Sequence, residues 1–155
     1  IGFPFGYNLT ETKLEEMKMA VEHGANELDI VINISAFKSA LPWVKIELAK
    51  CAQFAHENNC LIKAIIETSY LTDEEIKSAC KTCAEAGIDF VKTSTGFANG
   101  GARLEDVRLI REVVGSRLGI KASGGIGKRE TALEFLEAGA TRIGTSSGPA
   151  LMKEG

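Results

Sequence analysis

Apolar and polar residues change periodicity repeatedly along this chain, and the changes predict strands separated by helices. Short runs rich in apolar and β-branched residues are each followed by a segment in which apolar residues recur at helical spacing. Glycines that end helices precede several of these runs. Complete strands are predicted at residues 27–33, 61–68, 88–94, 119–123 and 141–145, and residues 1–5 are predicted as the end of another strand.

Helix starts are marked by capping residues. Thr12-x-x-Glu15 and Thr72-x-x-Glu75 both match the capping box, and Pro42 suits the first turn of a further helix. Two more helices are predicted at about 104–114 and 129–138. For the helix after Pro42, the predicted buried residues are Trp43, Ile46, Ala49, Cys51 and Phe54.

This order of elements predicts an α/β fold with a parallel sheet. Strict alternation with short connections implies right-handed crossovers between parallel strands. Near-continuous apolar strands with polar residues at their carboxyl ends favour a (β/α)8 barrel, and a doubly wound sheet is the alternative. A closed barrel needs eight strands. We therefore predict a partial TIM barrel of about five to six β/α units, with residues 1–155 as one domain.

Composition narrows the classes of partner. The net charge is −3, and Lys and Arg are scattered through the helices, so we expect neither a nucleic-acid nor a membrane partner. We find no signal peptide and no apolar run long enough to span a bilayer, and we expect a cytoplasmic protein. Four cysteines and two histidines favour reduced thiols over a metal site. Cys80-x-x-Cys83 lies in mid-helix, which argues against a redox pair.

Lys92 is the first candidate for chemistry, because it lies inside a predicted buried strand. A buried ammonium is costly unless it is paired, neutralised or used. One interpretation is a structural salt bridge to a carboxylate such as Asp29 or Glu67. The other is a desolvated lysine whose pKa is lowered, which makes its amine a nucleophile toward carbonyl groups.

Charged residues on other strands sharpen that choice. Asp29, Lys63, Glu67 and Lys121 also lie within predicted strands, where charge is unusual. In a barrel the inward-facing positions of the strands converge. We therefore expect Asp29, Lys92 and Lys121 to meet near the carboxyl ends of the strands, with Lys63 and Glu67 beside them. A second ammonium near Lys92 would lower its pKa further. The free amine would form a Schiff base, with Asp29 supplying proton transfers.

Two glycine-rich turns predict an anion site. Gly124-Gly125 and residues 144–148 follow the last two strands, where barrels often bind phosphate through main-chain N–H groups. The alternative is that these glycines only form tight βα turns.

Taken in order, these motifs resemble the deoxyribose-phosphate aldolase family of class I, Schiff-base aldolases. The resemblance spans essentially the whole chain. It rests on Gly2-Phe3-Pro4 and on residues 27–33, 63–68, 91–96, 121–125 and 144–147.

The resemblance implies reversible cleavage of 2-deoxy-D-ribose 5-phosphate to acetaldehyde and D-glyceraldehyde 3-phosphate, with no metal and no organic cofactor. It implies that Lys92 is the Schiff-base lysine, that Lys121 lowers its pKa, and that Asp29 is the acid and base. We also expect a homo-oligomer. The implied substrate- and phosphate-binding residues are Lys63, Thr95, Gly96, Gly124, Gly125, Gly144, Ser146 and Ser147.

Two features depart from the family pattern. Phe97 stands where some members have a second lysine, so we expect a different phosphate preference. The chain also begins near the end of the family's third strand, so we expect an incomplete gene product, an engineered fragment or an incompletely represented polypeptide. Alternatives to the main prediction are a noncatalytic or assembly-dependent barrel fragment and another phosphate-binding class I aldolase.

Overall fold

The computed structural model describes residues 1–153 and places five strands in one parallel sheet. The strands follow each other in chain order across the sheet, from β1 at one edge to β5 at the other. A doubly wound sheet reverses its strand order at a switch point, so this order excludes that alternative. The strands are β1 (Glu27–Val31), β2 (Leu61–Ile65), β3 (Phe90–Lys92), β4 (Gly119–Ser123) and β5 (Arg142–Gly144).

Helices connect successive strands. A short helix after β1 was not among the predicted helices, because five residues are too few to display a helical period. The helices are α1 (Thr10–Glu22), α2 (Ile34–Lys38), α3 (Trp43–Glu57), α4 (Asp73–Glu85), α5 (Leu104–Val114), α6 (Arg129–Glu137) and α7 (Gly148–Leu151), with one 3₁₀ turn at Thr68–Tyr70.

One predicted capping box is confirmed and the other is wrong. The Thr72 side chain accepts from the Glu75 N–H, and the Glu75 carboxylate accepts from the Thr72 N–H. Helix α1 instead begins at Thr10 and has no side-chain cap. Thr12 therefore lies inside the first turn, where its hydroxyl has no helix start to cap.

The predicted buried face of α3 is wrong at Trp43, Ile46 and Ala49, whereas Cys51 is buried and Phe54 is partly buried against the core. Trp43 and Ile46 are exposed. The helix is rotated because Glu47 belongs to the buried face, where it is paired with Lys13 from α1. The prediction assigned apolar residues of α3 to the core and charged residues to solvent, so a buried glutamate leads to the wrong face of the helix. The buried residues are Val44, Glu47, Leu48, Cys51, Ala52 and Ala55.

The two faces of the sheet differ in chemistry. One face packs against the helices and consists of fully buried apolar side chains such as Ile30, Ile62, Val91 and Ile120. Strand alternation sends the intervening residues to the opposite face, and these include all the charged residues of the strands. The core therefore lies between the sheet and the helices, and the charged face is the concave one.

The sheet is strongly curved. Glu27 on β1 pairs with Arg142 on β5, although these strands are the two edges. Inward side chains of widely separated strands meet in this way only if the sheet curls as in a barrel. The main chain of Ile1 extends the sheet beside β1, since its nitrogen donates to the Asp29 carbonyl oxygen at 2.7 Å and its carbonyl accepts from Val31 at 3.0 Å. Residues 1–5 thus begin with the predicted strand end.

Within residues 1–153, no helix is long and apolar enough to cross a membrane.

Candidate active site

Asp29 is the centre of a cluster of charged side chains on the concave face. Its Oδ2 accepts from Lys92 Nζ and from Lys121 Nζ, each at 2.8 Å, and its Oδ1 lies 3.0 Å from Lys63 Nζ. Strand register explains this convergence. Asp29 is opposite Lys63 in the β1–β2 pair, and Lys92 is opposite Lys121 in the β3–β4 pair. We refer to Asp29, Lys63, Lys92 and Lys121 as the lysine cluster.

The cluster is partly shielded from water. The side chain of Lys92 is 12% exposed, that of Lys121 is 19% exposed and that of Asp29 is 25% exposed. Burial acts to raise the pKa of the Asp29 carboxyl, but hydrogen bonds from Lys121 and Lys92 outweigh it and hold the pKa well below its usual range. Asp29 is therefore a carboxylate at neutral pH.

Lys92 is shifted toward its neutral form. Burial lowers the pKa of its ammonium, and the positive charges of Lys121 and Lys63 lower it further. The hydrogen bond and charge of Asp29 act in the opposite direction without cancelling the decrease. The two ammonium nitrogens lie no farther apart than twice 2.8 Å, since both contact the same oxygen. The free amine of Lys92 is consequently more populated at neutral pH than that of an ordinary lysine.

Lys63 is held from two sides. It is almost fully buried, and its Nζ lies 2.8 Å from Glu27 Oε2 as well as near Asp29. Glu27 also pairs with Arg142, whose guanidinium lies 4.9 Å from the ring centroid of Phe90. These contacts fix Lys63 at the base of the cluster and orient the Asp29 carboxylate toward the other two lysines.

A cavity of about 570 Å³ opens above Lys92 and Lys121. It contains most of the residues expected to bind phosphate. We call it the glycine-lined cavity. Its wall is formed by Thr95, Gly96, Ser123, Gly124, Gly125, Ile126, Gly127, Gly144, Thr145, Ser146 and Ser147.

Asp29 and Lys63 face a different cavity. This second space, of about 560 Å³, is bordered by Asp29 and Lys63 together with the same Lys92 and Lys121. The two lysines thus separate the two cavities, and a group bound at Lys92 is accessible to the carboxylate on one side and to the glycine turns on the other.

Two glycines have specific reasons for their positions. Gly125 has φ +77° and nothing within 4 Å of the place of a Cβ, so its conformation, rather than crowding, requires glycine. A Cβ at Gly144 would lie 2.8 Å from Ser123 Cβ and 3.3 Å from Lys121 Cε. Glycine at 144 therefore leaves room for the Lys121 side chain to reach Asp29.

Several polar residues that sequence reasoning missed hold the cavity walls. Thr93 Oγ1 donates to the Ser123 carbonyl oxygen and accepts from the Ser123 N–H, both at 3.1 Å, which joins the ends of β3 and β4. Thr145 Oγ1 donates to the Ile126 carbonyl at 2.6 Å and accepts from the Ser147 N–H at 2.9 Å. Their position at strand ends, beside the predicted loops, was the only available signal.

Glu67 does not join the lysine cluster. It was expected beside the lysines and was considered as a salt-bridge partner for Lys92. Its carboxylate instead accepts from the Thr95 N–H, with distances of 3.3 and 3.2 Å to its two oxygens, and from the Thr95 hydroxyl. The carboxylate paired with Lys92 is Asp29.

The cysteines are separate from this chemistry. All four are unpaired and buried. Burial raises the pKa of the Cys80 thiol to about 12, which leaves almost no thiolate at neutral pH. This is the opposite of what a redox-active Cys80-x-x-Cys83 pair requires.

Comparison with known proteins agrees with this geometry. A model of the DeoC/LacD family aldolases matches residues 3–153. The deoxyribose-phosphate aldolase of Thermococcus kodakarensis is 58% identical over 149 residues, which make up 96% of this chain and 66% of that protein. The chain thus spans about two thirds of that relative.

Solved structures agree as well. The structure described as QR15, an aldolase, is 52% identical with a TM-score of 0.96, covering 99% of this chain and 69% of that one. A deoxyribose phosphate aldolase from Aeropyrum pernix, described as having a unique tetrameric structure, is 34% identical with a TM-score of 0.91 over 99% of this chain and 64% of that one. The predicted partial (β/α)8 barrel is confirmed. The chain belongs to the DeoC/LacD family of aldolases.

Proposed function

We propose that this chain carries the Schiff-base site of a class I aldolase that reversibly cleaves 2-deoxy-D-ribose 5-phosphate to acetaldehyde and D-glyceraldehyde 3-phosphate. The observation that carries the proposal is Lys92, an amine of lowered pKa that shares one carboxylate oxygen with Lys121 beneath a glycine-lined cavity. The curated relatives that match the chain are named deoxyribose-phosphate aldolase.

The reaction begins with attack of the Lys92 amine on the aldehyde carbon of the open-chain sugar. The carbinolamine loses water to give an iminium, which withdraws electrons from the adjacent carbon. Deprotonation of the C3 hydroxyl then breaks the C2–C3 bond, releases D-glyceraldehyde 3-phosphate and leaves an enamine on Lys92. Protonation of the enamine carbon and hydrolysis release acetaldehyde and restore the amine.

Asp29 and Lys121 have complementary parts in these steps. The ionised Asp29 accepts protons, either directly or through water, and Lys121 is the ammonium group that can return them. Because Lys121 donates to the same oxygen as Lys92, a proton can move among the three groups without leaving the cluster. We assign Lys63 to orienting Asp29, on the basis of its contact with Oδ1.

A phosphorylated substrate fits the glycine-lined cavity. The glycines at 124, 125 and 144 let an anion approach the main chain closely, and the hydroxyls of Ser146 and Ser147 are additional donors. Two ammonium groups at the base add positive charge. We therefore assign phosphate recognition to these loops and to Thr95 and Gly96.

We further propose that residues 1–155 act as one partial barrel domain, that the chain forms a homo-oligomer, and that it works in the cytoplasm. The Aeropyrum pernix relative, described as tetrameric, supports self-association. The four unpaired cysteines support a reducing compartment.

The decisive experiment is reductive trapping of the 155-residue chain with acetaldehyde and sodium cyanoborohydride, followed by intact mass measurement and peptide mapping. We expect one N-ethyl group, confined to Lys92, and none on the Lys92→Ala variant. Lys77→Ala, which removes a partly exposed lysine of α4, is the matched control and should trap like the unaltered chain. Absence of the adduct, or labelling scattered over surface lysines, would contradict the Schiff-base assignment.

Measuring turnover of phosphorylated substrates distinguishes the proposed aldolase from a different class I aldolase and from a noncatalytic fragment. Cleavage of 2-deoxy-D-ribose 5-phosphate would establish the substrate, whereas an adduct at Lys92 with turnover only on other phosphorylated carbonyl compounds would indicate a different class I aldolase. A self-associating chain with neither adduct nor turnover would indicate a noncatalytic fragment.

A further inference from the structure

Glu67 is a buried carboxylate that the proposed mechanism does not use. It follows β2 and is 3% exposed. Its backbone lies in the left-handed region, with φ 52° and ψ 69°, where residues other than glycine are strained. Among the described residues, no lysine or arginine lies within salt-bridge distance of it. A strained and buried anion is retained only where the surrounding structure requires it.

The contacts of Glu67 converge on Thr95. Both carboxylate oxygens lie within hydrogen-bond distance of the Thr95 nitrogen, and Oε2 also accepts from the Thr95 hydroxyl. Thr95 Oγ1 in turn accepts from the Phe97 N–H at 3.1 Å. The Glu67 side chain therefore holds Thr95 directly and Phe97 through Thr95, in the loop that follows β3.

The backbone around Glu67 is itself tied to that strand. The Ile66 N–H donates to the Lys92 carbonyl at 3.0 Å, and the Thr68 N–H donates to the Thr93 carbonyl at 2.9 Å. The left-handed conformation of Glu67 lets the chain after β2 make both hydrogen bonds while the Glu67 side chain reaches Thr95. The carboxylate is thus placed at a defined distance from Lys92 without touching it.

Thr95 forms a wall shared by two cavities. On one side is the glycine-lined cavity. On the other is a cavity of about 280 Å³, which Glu67 also lines and whose aromatic lining is Phe5, Tyr7, Tyr70 and Phe97. Movement of Thr95 would open one cavity into the other and displace Gly96, which has φ +88° and follows it directly.

We propose that Glu67 is a positioning residue that, through its hydrogen bonds to Thr95, holds the Thr95–Gly96 wall of the glycine-lined cavity in the form that binds the substrate phosphate. This inference rests on the proposed function. Hydrogen bonds to an ionised acceptor are stronger than neutral ones, and burial strengthens them further. Glu67 acts on phosphate binding through Thr95 and leaves the chemistry at Lys92 unchanged.

The test compares Glu67→Gln, Thr95→Val and the double variant with the unaltered chain. The probes are 2-deoxy-D-ribose 5-phosphate, for kcat and KM, and inorganic phosphate, whose Kd is measured from amide chemical shifts in NMR spectra. We expect each single variant to raise KM and the phosphate Kd by roughly tenfold, with kcat changed less. The double variant should bind phosphate no more weakly than the more impaired single variant, because both changes weaken the same group of hydrogen bonds between residues 67 and 95.

Two controls keep the result specific. Glu85→Gln makes the same chemical change at an exposed position on α4 and should leave KM and the phosphate Kd unchanged. If Glu67→Gln lowers the melting temperature strongly, Glu67→Gly relieves the backbone strain and should still show the weaker phosphate binding.

The outcomes distinguish this inference from the proposed function. Normal trapping of acetaldehyde at Lys92 in all variants, with weakened phosphate binding in the Glu67 and Thr95 variants, supports the positioning role. Unchanged KM and Kd, multiplicative effects in the double variant, or no response of the unaltered chain to phosphate would overturn it. Loss of the Lys92 adduct in the unaltered chain would instead overturn the Schiff-base proposal.

Discussion

Two lysine–carboxylate clusters of this molecule have similar chemistry and different consequences. Lys13 and Glu47 form a pair with both side chains 0% exposed, at 2.6 Å. Lys13 also donates to the Val31 carbonyl, and the second oxygen of Glu47 accepts from Thr10. The lysine cluster instead surrounds Asp29 with three ammonium groups and borders two cavities.

The difference shows that burial of a lysine does not by itself indicate function. Lys13 has one partner for its charge and no access to solvent, so it ties α1, α3 and β1 together. Lys92 shares its carboxylate with competing cations, and it retains a path to solvent. Burial lowers the pKa of Lys92 most and the nearby like charges lower it further, while the adjoining cavity lets a substrate reach the amine.

The largest effect expected is from Lys92→Met. Replacing the amine with a thioether of similar length should reduce kcat/KM for 2-deoxy-D-ribose 5-phosphate by roughly 10⁴-fold or more, since no other group forms the imine. Stability should change little, because Asp29 keeps Lys63 and Lys121 as partners. Steady-state kinetics and a melting curve measure both quantities, and activity within tenfold of the unaltered chain would contradict the assignment.

Asp29→Asn should distinguish the role of Lys92 as nucleophile from the role of Asp29 in proton transfer. We expect turnover to fall by about 10²- to 10⁴-fold, the usual contribution of a general acid or base. Trapping of acetaldehyde at Lys92 should persist, because Asp29 raises the pKa of Lys92 and its loss lowers that pKa further. If the adduct disappears as completely as it does in Lys92→Met, the division of roles between these two residues is wrong.

Lys13→Met tests the structural cluster. Removing one partner leaves Glu47 as an uncompensated buried charge, and we expect the free energy of unfolding to fall by about 3–5 kcal/mol. Lys13→Met combined with Glu47→Leu should recover most of that loss, since an apolar pair removes the buried charge. Urea denaturation measures the stability. A double variant that is folded but has lost trapping at Lys92 would show that the two clusters are coupled.

The smallest effect expected is a change of pH dependence in Lys121→Met. Lys121 lowers the pKa of Lys92 by charge repulsion, so its removal raises that pKa. The free-amine fraction at pH 7 then falls, about tenfold for each pKa unit, and trapping should recover as the pH is raised. Trapping rates from pH 6 to pH 10 measure the shift. A curve displaced toward lower pH would contradict the sign of the expected shift. Lys77→Met, at a partly exposed position away from the cluster, is the control.

Much of the fold could be predicted from the local pattern of apolar, polar and capping residues. Strand β4 and helix α5 have the predicted bounds, and the Thr72 capping box is confirmed, because residue types and their spacing over a few neighbouring positions indicate each of them. The predicted face of α3 failed where a distant residue decided the outcome. A glutamate in a helix is normally predicted to be exposed. Glu47 is buried because Lys13, which lies on another helix, is its ion-pair partner.

The candidate site divides in the same way. Placing Asp29 with Lys92 and Lys121 followed from strand alternation and a barrel-like sheet, and the structure brings these residues together. The contact of Glu67 with Thr95 was not foreseen, because a left-handed residue interrupts the alternation on which the prediction depended. Thr93, Ser123 and Thr145 offered only their position at strand ends as a signal, and hydroxyl residues are common there.

The sequence by itself determined which residues carry charge within strands, where glycines permit close approach, and the order of the strands and the longer helices. These properties depend on residue type and on spacing along the chain. Only the tertiary structure showed which buried lysine is enclosed with a single carboxylate partner and which borders a cavity beside other cations. The pKa of a buried group depends on the distances to every nearby charge and on its access to water, and sheet curvature sets those distances between residues far apart in the chain.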